Sequence, residues 1–331
     1  MTASRPDRAR MLAWLAREAV VDGGAVLSWV NPAHPGYTYP EAAGLVLGLL
    51  AQEPGSPPGL RRRLADRLTA EVGPTGALGR AGVDYLFDAG IVLHGLLLHV
   101  EAGGALGDPD ALARLGEGVL AGIEGRTPRV PAAPGSDHWS DTWGCHLIKL
   151  ALPLQRLAAG GERRAAAAAG RLVDELLGLW RGDRFVVHAG SERTYVHAGC
   201  YALEGLWGLG GGWEATARPI LRAGAAWLAS IQAEDGSLPA WHDGARGSGA
   251  RPSDVVAQAL RIWTMVDLAE GTGRFAAARA LALGCLAARQ HASGGIRYVE
   301  GEADVNSWCT AFAAQAVAWA ELGAEAQPWP I

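Results

Sequence analysis

Six segments of this sequence share one pattern, in which a polar or charged residue near the start is followed by small and apolar residues. They are YPEAAGLVLGLL, DYLFDAGIVLHGLLL, HWSDTWGCHLIKLALPL, TYVHAGCYALEGLWGL, PSDVVAQALRIWTMV and DVNSWCTAFAAQAVAWA, beginning near Tyr39, Asp84, His138, Thr194, Pro252 and Asp304. The pattern recurs at intervals of roughly 50 residues, which indicates a repeated structural unit. Because few charges fall on any face of these segments, each is predicted to be a helix buried on all sides.

A more charged helical pattern precedes each of the six segments. These partners run roughly over Arg8–Ala19, Leu60–Val72, Asp110–Ile123, Arg163–Trp180, Trp213–Ile231 and Arg274–Gln290. They hold most of the arginine and glutamate, so we expect them to form an outer wall around the buried helices. Glycine followed by apolar residues at Gly76–Leu78, Gly236–Leu238 and Gly295–Ile296 predicts short extended segments leading to the inner helices. Twelve helices in six hairpins predict an all-α protein, an (α/α)6 barrel or toroid, with a single domain over residues 1–331.

Composition and charge indicate which partners and which cellular location to expect. The 331 residues are 49% hydrophobic and 19% charged, which is typical of a globular protein with a large core. No stretch approaches the roughly 18 uninterrupted apolar residues of a membrane helix, and residues 1–20 lack the pattern of a signal peptide. We therefore expect a cytoplasmic protein that contacts no membrane. A net charge of -5 with dispersed arginines also disfavours a nucleic-acid partner.

The first turns of the predicted inner helices carry groups suited to acid/base chemistry. Glu41, Asp88, Asp141 and His197 lie on four successive inner helices, and a closed ring would direct all four at one central space. Like charges brought together there would raise each other's pKa values and leave one carboxyl protonated. We predict these four residues to be catalytic. The alternative is that the carboxylates only cap helix N-termini.

Aromatic and polar side chains near the same positions are predicted to bind a substrate. The chain has 13 Trp and only 4 Phe, and indole rings offer flat stacking surfaces for the C–H faces of sugars. The predicted binding residues are Tyr39, Trp139, Trp143, Tyr195, Trp241, Asp254, Asn306 and Trp308.

Residues deeper along the inner helices suggest a charged floor. Glu204 and Arg261 are expected to form a buried ion pair on adjacent inner helices, and Lys149, the single lysine, to pair with Asp141 or Asp88.

The cysteines leave a metal site open as an alternative. The four cysteines have no spacing typical of a disulfide framework. Cys145, Cys200 and Cys309 fall in one layer, where they could bind zinc together with His146 or His197. We predict no cofactor, with zinc as the alternative.

Four of the inner segments resemble those of a known group of toroids. YPEAAGLVLGLL, LFDAGIVLHGLLL, TYVHAGCYALEGLW and NSWCTAFAAQAVAWA, in this order and together with QAEDGSLPAW, are similar to six-hairpin toroids that act on glycans. These include unsaturated glucuronyl hydrolases, sugar 2-epimerases and glucuronyl C5-epimerase-like proteins, with terpene cyclases as more distant relatives. The resemblance implies that acidic and histidine groups at the inner-helix starts form the site, here Glu41, Asp88 and His197. The DxDD acid motif of class II terpene cyclases is absent from the sequence.

We therefore expect an enzyme that uses acid/base chemistry on a glycoside, uronate or similar polyhydroxylated small molecule in the toroid cavity. One alternative is a ring-forming or eliminating enzyme, a cyclase or lyase, of secondary metabolism. Another is a binding or scaffold toroid without catalysis. A deep cavity lined by tryptophan would favour a sugar substrate, and a closed apolar cavity would favour a terpenoid substrate. A cavity filled by side chains would favour a scaffold protein.

Overall fold

The chain folds into hairpins of α-helices with a few very short strands. The computed structural model describes residues 5–34, 36–132, 138–209, 214–323 and 330–331. In these residues the helices are α1 (Arg8–Trp14), α2 (Pro40–Ala51), α3 (Pro58–Glu71), α4 (Leu86–Glu101), α5 (Pro109–Glu124), α6 (Ala151–Ala159), α7 (Arg163–Leu176), α8 (Val196–Trp207), α9 (Glu214–Ser230), α10 (Ser253–Glu270), α11 (Ala276–Arg289) and α12 (Ser307–Leu322).

The even-numbered helices form a closed ring. Each contacts the next in the series from α2 to α12, and α12 contacts α2. The odd-numbered helices pack outside this ring, each against neighbouring inner helices. This arrangement confirms the predicted all-α fold of paired inner and outer helices.

Burial separates the two sets of helices as the sequence pattern predicts. In α2 every residue from Pro40 to Leu50 is buried, and in α10 every residue from Ser253 to Asp267 is buried. The outer helix α7 instead buries one stripe that includes Ala165, Ala169 and Leu172, at the three- and four-residue spacing of one helix face. The apolar inner helices therefore form the core, and the amphipathic outer helices cover it.

Three small sheets lie where the chain approaches the inner helices. Their strands are β1 (Trp29–Val30), β2 (Gly79–Arg80), β3 (Val83–Tyr85), β4 (Arg129–Val130), β5 (Thr194–Tyr195), β6 (Trp241–His242), β7 (Gly247–Ser248), β8 (Ile296–Arg297) and β9 (Val305–Asn306). The sheets have the antiparallel orders β1-β9-β8, β2-β3-β4 and β5-β6-β7. β3, β5 and β9 lead directly into α4, α8 and α12, so the sheets fix where these inner helices begin.

The third inner helix begins later than the sequence predicts. Instead of a helix from near His138, the chain forms a 3₁₀ turn over Trp139–Asp141, then an extended stretch, then a 3₁₀ helix from Cys145 that continues into α6. Gly144 is extended and bridges to His188, which keeps the preceding residues out of the helix. Pro153 has no N–H to donate to the carbonyl four residues earlier, which disfavours α-helical bonding in the preceding turn. The predicted start is wrong for this helix.

The other inner helices begin close to the predicted positions. Pro40, Leu86, Val196, Ser253 and Ser307 are their first residues. For α9 the predicted first residue, Trp213, lies outside the described residues. In the described part of the chain no helix is both long and apolar enough to cross a membrane.

Candidate active site

A cavity of about 220 Å³ opens between the starts of the inner helices. Its wall combines carboxyl groups, histidine, one arginine and many aromatic rings. The lining residues are Tyr37, Tyr39, Glu41, Arg80, Tyr85, Asp88, His138, Trp139, Ser140, Tyr195, His197, Tyr201, Asp254, Tyr298 and Trp308. We call this space the central cavity.

Glu41 is held in the first turn of α2 by two phenols. Pro40 is the first residue of the helix, which places the Glu41 side chain at the cavity wall. One carboxylate oxygen accepts a hydrogen bond from the Tyr39 hydroxyl, and the other accepts one from the Tyr201 hydroxyl at 3.0 Å. Because side-chain hydroxyls rather than backbone N–H groups bind these oxygens, capping does not explain this carboxylate.

Asp88 is a buried carboxyl, and one of its oxygens lacks a hydrogen-bond partner among the described residues. It lies in the first turn of α4 and is 3% exposed, and its Oδ2 has no hydrogen-bond partner among the described residues. Burial raises the pKa of Asp88 well above its usual range, and the charge of Glu41 raises it further. Arg80 and the Tyr39 hydroxyl act in the opposite direction. The raised pKa favours the protonated form of Asp88, next to a second carboxyl that accepts two hydrogen bonds.

His197 and Asp254 form a second pair on adjacent inner helices. His197 Nδ1 lies 3.6 Å from Asp254 Oδ2, and this nitrogen is buried with no hydrogen-bond partner in the described structure. The same Asp254 oxygen accepts a hydrogen bond from Trp308 Nε1 at 3.2 Å, while Oδ1 accepts the Val255 N–H at 2.6 Å. At 3.6 Å the histidine is just beyond hydrogen-bond distance and can form an ion pair with Asp254 when it is protonated.

Four of the aromatic residues predicted to bind substrate line the central cavity. These are Tyr39, Trp139, Tyr195 and Trp308. The rings pack against one another, with centroids 5.9 Å apart for Tyr39 and Trp308 and 5.4 Å apart for Trp139 and Tyr195. The wall therefore offers two pairs of packed aromatic rings beside the carboxyl groups.

Trp241 lies in a second space next to the central cavity. This groove of about 570 Å³ is lined by His138, Trp139, Val187, His188, Ser191, Arg193, Tyr195 and Trp241. We call it the outer groove. It shares His138, Trp139 and Tyr195 with the central cavity, so the two spaces are neighbours.

Besides Trp241, three predicted site residues do not line the central cavity. Asp141 lies in the 3₁₀ turn before the third inner helix and forms an ion pair with Arg129 at 3.0 Å. The Trp143 indole donates a hydrogen bond to Glu175 at 3.0 Å. Asn306 caps α12, and its side chain accepts the Cys309 N–H. Asp141 misses the predicted ring because its helix begins later, and the Asn306 side chain is engaged as a helix cap.

Several cavity residues were missed by sequence reasoning, and Arg80 is the most important. It lies in β2, and its guanidinium carbon is 4.7 Å, 5.0 Å and 5.7 Å from the ring centroids of Tyr37, Tyr39 and Tyr85. Arg80 forms no ion pair with a described carboxylate, and its Nε is buried without an acceptor. Tyr201 follows His197 by one helical turn, so the helix period could have placed it on the same face.

A charged layer lies beneath the central cavity. The predicted ion pair between Glu204 and Arg261 is present, and both side chains are fully buried. Lys149 pairs with Glu204 at 2.6 Å rather than with Asp141 or Asp88, and it lies 4.8 Å from the centroid of the Tyr201 ring. Burial lowers the pKa of Lys149 to about 8, against the opposing charge of Glu204. Arg261 and Lys149 also donate to the carbonyl oxygen of Ile331.

The three cysteines of the alternative zinc site are buried thiols. Burial raises the pKa of Cys145 to about 12, and it raises the pKa values of Cys200 and Cys309 as well. Among the residues that the structure describes, no group of three or more histidine, cysteine, aspartate or glutamate side chains is placed to hold a metal ion.

Comparisons with known proteins find likeness in structure and none in sequence. No protein-family model and no curated protein sequence matches the chain. An unsaturated glucuronyl hydrolase specific for heparin is 13% identical with a TM-score of 0.63, and the match covers 96% of this chain and 95% of that one. Cellobiose 2-epimerase from Spirochaeta thermophila is 13% identical with a TM-score of 0.66, and the match covers 93% of this chain and 95% of that one. A type II terpene cyclase from Scytonema is 15% identical with a TM-score of 0.59, and the match covers 94% of this chain and 95% of that one. The chain therefore has the six-hairpin toroid fold of these enzymes.

Proposed function

We propose that this protein is an acid/base enzyme that acts on a glycoside, uronate or similar polyhydroxylated small molecule in the central cavity. The observation that carries the proposal is Asp88, a carboxyl buried at the cavity wall with a raised pKa and an unpartnered oxygen. Such a group stays protonated at a pH where ordinary aspartates are ionised, which is what a general acid requires. Neighbours of the same fold include a glycan hydrolase and a sugar epimerase, which supports this substrate class.

The cavity contains both a proton donor and groups that can accept a proton. Asp88 donates its proton to a leaving oxygen or to a sugar carbon. Glu41 stands beside it as a carboxylate held by two phenols, and the pair of His197 and Asp254 offers a second base across the cavity. Which group accepts the proton depends on how the substrate lies.

The lining favours a polyhydroxylated substrate over a terpenoid. Carboxyl groups, phenols, an arginine and a histidine alternate with the aromatic rings of the wall. Hydroxyl groups of a sugar can exchange hydrogen bonds with the polar groups while its C–H face stacks on Trp139 or Trp308. A hydrocarbon in this space would leave those buried polar groups without partners, which is unfavourable.

Arg80 favours an acidic sugar within this class. It is the single arginine or lysine among the described residues that line the central cavity, and no described carboxylate pairs with it. A guanidinium matches the geometry of a carboxylate and can bind it through two parallel hydrogen bonds. The charge of a uronate would therefore be matched at Arg80.

The test is a screen of saturated and unsaturated glycosides and uronides with the wild-type protein, followed by variants on any substrate found. Asp88→Asn and His197→Ala should each lower turnover by about a hundredfold or more, because general acid/base groups supply that range of rate. Asp267→Asn is the matched control. Asp267 is 3% exposed, as Asp88 is, but it lies near the C-terminal end of α10 and does not line the central cavity. It should retain full turnover per folded molecule.

Two results would contradict the proposal. One is the absence of turnover for every compound in the screen. The other is full turnover by both folded variants, which would mean that Asp88 and His197 have structural roles only.

A further inference from the structure

The outer groove differs in charge from the central cavity that it adjoins. The central cavity carries the carboxyl groups of Glu41, Asp88 and Asp254. The described residues that line the outer groove include no carboxylate, and they include Arg193 together with two histidines. A negatively charged group bound in the outer groove therefore faces an arginine and no carboxylate of the described lining.

Arg193 has its hydrogen-bond donors available. Its guanidinium carbon lies 4.5 Å from the centroid of the Trp241 ring, and within the described structure it forms no ion pair. The side chain is exposed, so it can turn toward a ligand. An arginine beside an indole, without an acidic partner, is suited to bind a carboxylate or sulfate group through paired hydrogen bonds.

A row of aromatic rings connects the groove to the cavity. Tyr195 lies between Trp139, at 5.4 Å, and Trp241, at 4.8 Å, measured between ring centroids. Tyr195 and Trp241 face each other across the β5–β6 pairing, so the backbone fixes their spacing. A chain of sugar units that occupies the cavity can continue along this aromatic surface into the groove.

We propose that the outer groove is a second sugar-binding subsite, and that Arg193 binds a carboxylate or sulfate group on the unit held there. The inference rests on the proposed function, since the unit in the central cavity is taken to be the one that reacts. The substrate is then an oligosaccharide of at least two units, of which the second is acidic.

The experiment uses three disaccharides that are identical except at the second unit, which is neutral, carries a sulfate ester or carries a carboxylate. Their dissociation constants with the wild-type protein are measured by calorimetry, and their turnover is measured separately. We expect at least one acidic disaccharide to bind about tenfold more tightly than the neutral one, a difference of about 1.4 kcal/mol. The sulfate and carboxylate arms show which group Arg193 prefers.

The variants assign this preference to the groove. Arg193→Ala should remove the preference, and Arg193→Lys should restore part of it. Arg246→Ala is the control, because Arg246 is an exposed arginine between β6 and β7 that does not line the groove. It removes the same charge and should keep the preference. Trp241→Ala should weaken binding of all three disaccharides.

The outcomes separate this inference from the proposed function. Equal binding of neutral and acidic disaccharides, a preference that survives Arg193→Ala, or no detectable binding of any disaccharide would overturn the subsite. Turnover without the preference would overturn the subsite and leave the enzyme proposal standing. A preference that depends on Arg193, without turnover of any disaccharide, would support the subsite and count against the enzyme proposal.

Discussion

Asp88 is unusual because its burial opposes folding. An ionised carboxyl away from water is unfavourable, so the native state holds Asp88 protonated where the unfolded chain releases the proton. The mismatch costs free energy of folding, and such costs are typically tolerated at functional sites.

The cost can be measured as a dependence of stability on pH. In the unfolded chain Asp88 ionises above about pH 4, while its raised native pKa keeps it protonated, so wild-type stability falls as pH rises between the two pKa values. Asp88→Asn removes this titration. We expect the variant to match the wild type at low pH and to be more stable by about 1 kcal/mol or more at pH 7. Denaturant unfolding at several pH values measures the free energy of unfolding of both proteins. The prediction is contradicted if the stability of the variant relative to wild type is lower at pH 7 than at pH 4.

Arg80 provides a second prediction for a single residue. If it binds the carboxylate of a uronate, Arg80→Gln should raise KM for an acidic substrate by about tenfold or more, because a charge-assisted hydrogen bond contributes about 1.5–3 kcal/mol. Arg80→Lys should recover part of the loss. Steady-state kinetics with the acid and its methyl ester measure both effects. An equal change in KM for acid and ester would contradict the assigned role.

Residue-level prediction worked where the backbone around a helix start is regular. Glu41, Asp88 and His197 were predicted at the cavity because a position in the first turn of a helix fixes the direction of its side chain. Asp141 failed because Gly144 and the 3₁₀ turn replace that first turn. Arg80 and Tyr298 reach the cavity from segments outside the helices, so helical periodicity could not reveal them.

Between elements, the contact of α2 with α4 sets the positions of Glu41 and Asp88. The two helices pack backbone against backbone at Gly44 and Gly95. A Cβ atom added at Gly95 would lie 2.3 Å from the Gly44 carbonyl oxygen, far inside contact distance. Only glycine at this crossing allows the helices to approach this closely.

Gly95→Ala is therefore expected to force α2 and α4 apart. Overpacking of a close contact costs about 1–3 kcal/mol, and the shift should also lower turnover because it moves Glu41 relative to Asp88. Gly170→Ala in α7 is the matched control. A Cβ there meets no atom within 4 Å, so we expect a gain of about 0.5–1 kcal/mol. Thermal unfolding and turnover of both variants test this, and a Gly95→Ala protein as stable and active as wild type would contradict it.

At the scale of elements, sequence periodicity predicted the helices well. The predicted outer helix Arg163–Trp180, for example, corresponds to α7 at Arg163–Leu176 followed by a short 3₁₀ turn. The amphipathic stripe and the fully apolar inner pattern specify each helix locally. The third inner helix departs because its start depends on a bridge from Gly144 to His188, which is distant in the sequence.

For the whole molecule, the charged layer of Lys149, Glu204 and Arg261 ties three inner helix segments together beneath the cavity. Glu204→Gln would leave two buried cations short of an anion. Loss of one partner from a buried ion pair costs about 3–5 kcal/mol, and we expect a loss of that size in denaturant unfolding. Glu117→Gln, in an exposed pair with Arg164, is the control and should change stability by less than about 1 kcal/mol. A Glu204→Gln protein as stable as this control would contradict the prediction.

The whole fold was predictable because six repeats of one pattern leave few other ways to bury the apolar helices. The reaction was not predictable to the same degree, since a toroid supports different chemistries and the site depends on individual side chains. Of the four residues predicted to be catalytic, Glu41, Asp88 and His197 line the central cavity and Asp141 does not. The phenols around Glu41 and the unpartnered oxygen of Asp88 come only from the folded chain.

The central claim is that Asp88 acts as a protonated acid in the cavity. The most direct test is the pH dependence of kcat/KM for a substrate found in the screen, measured for wild type and Asp88→Asn. We predict that wild-type kcat/KM holds its value to a pH well above the usual aspartate pKa of about 4, then falls as Asp88 loses its proton. The variant should be about a hundredfold or more slower, and its residual activity should lack that fall. An alkaline fall that is unchanged in Asp88→Asn, with turnover near wild type, would contradict the claim.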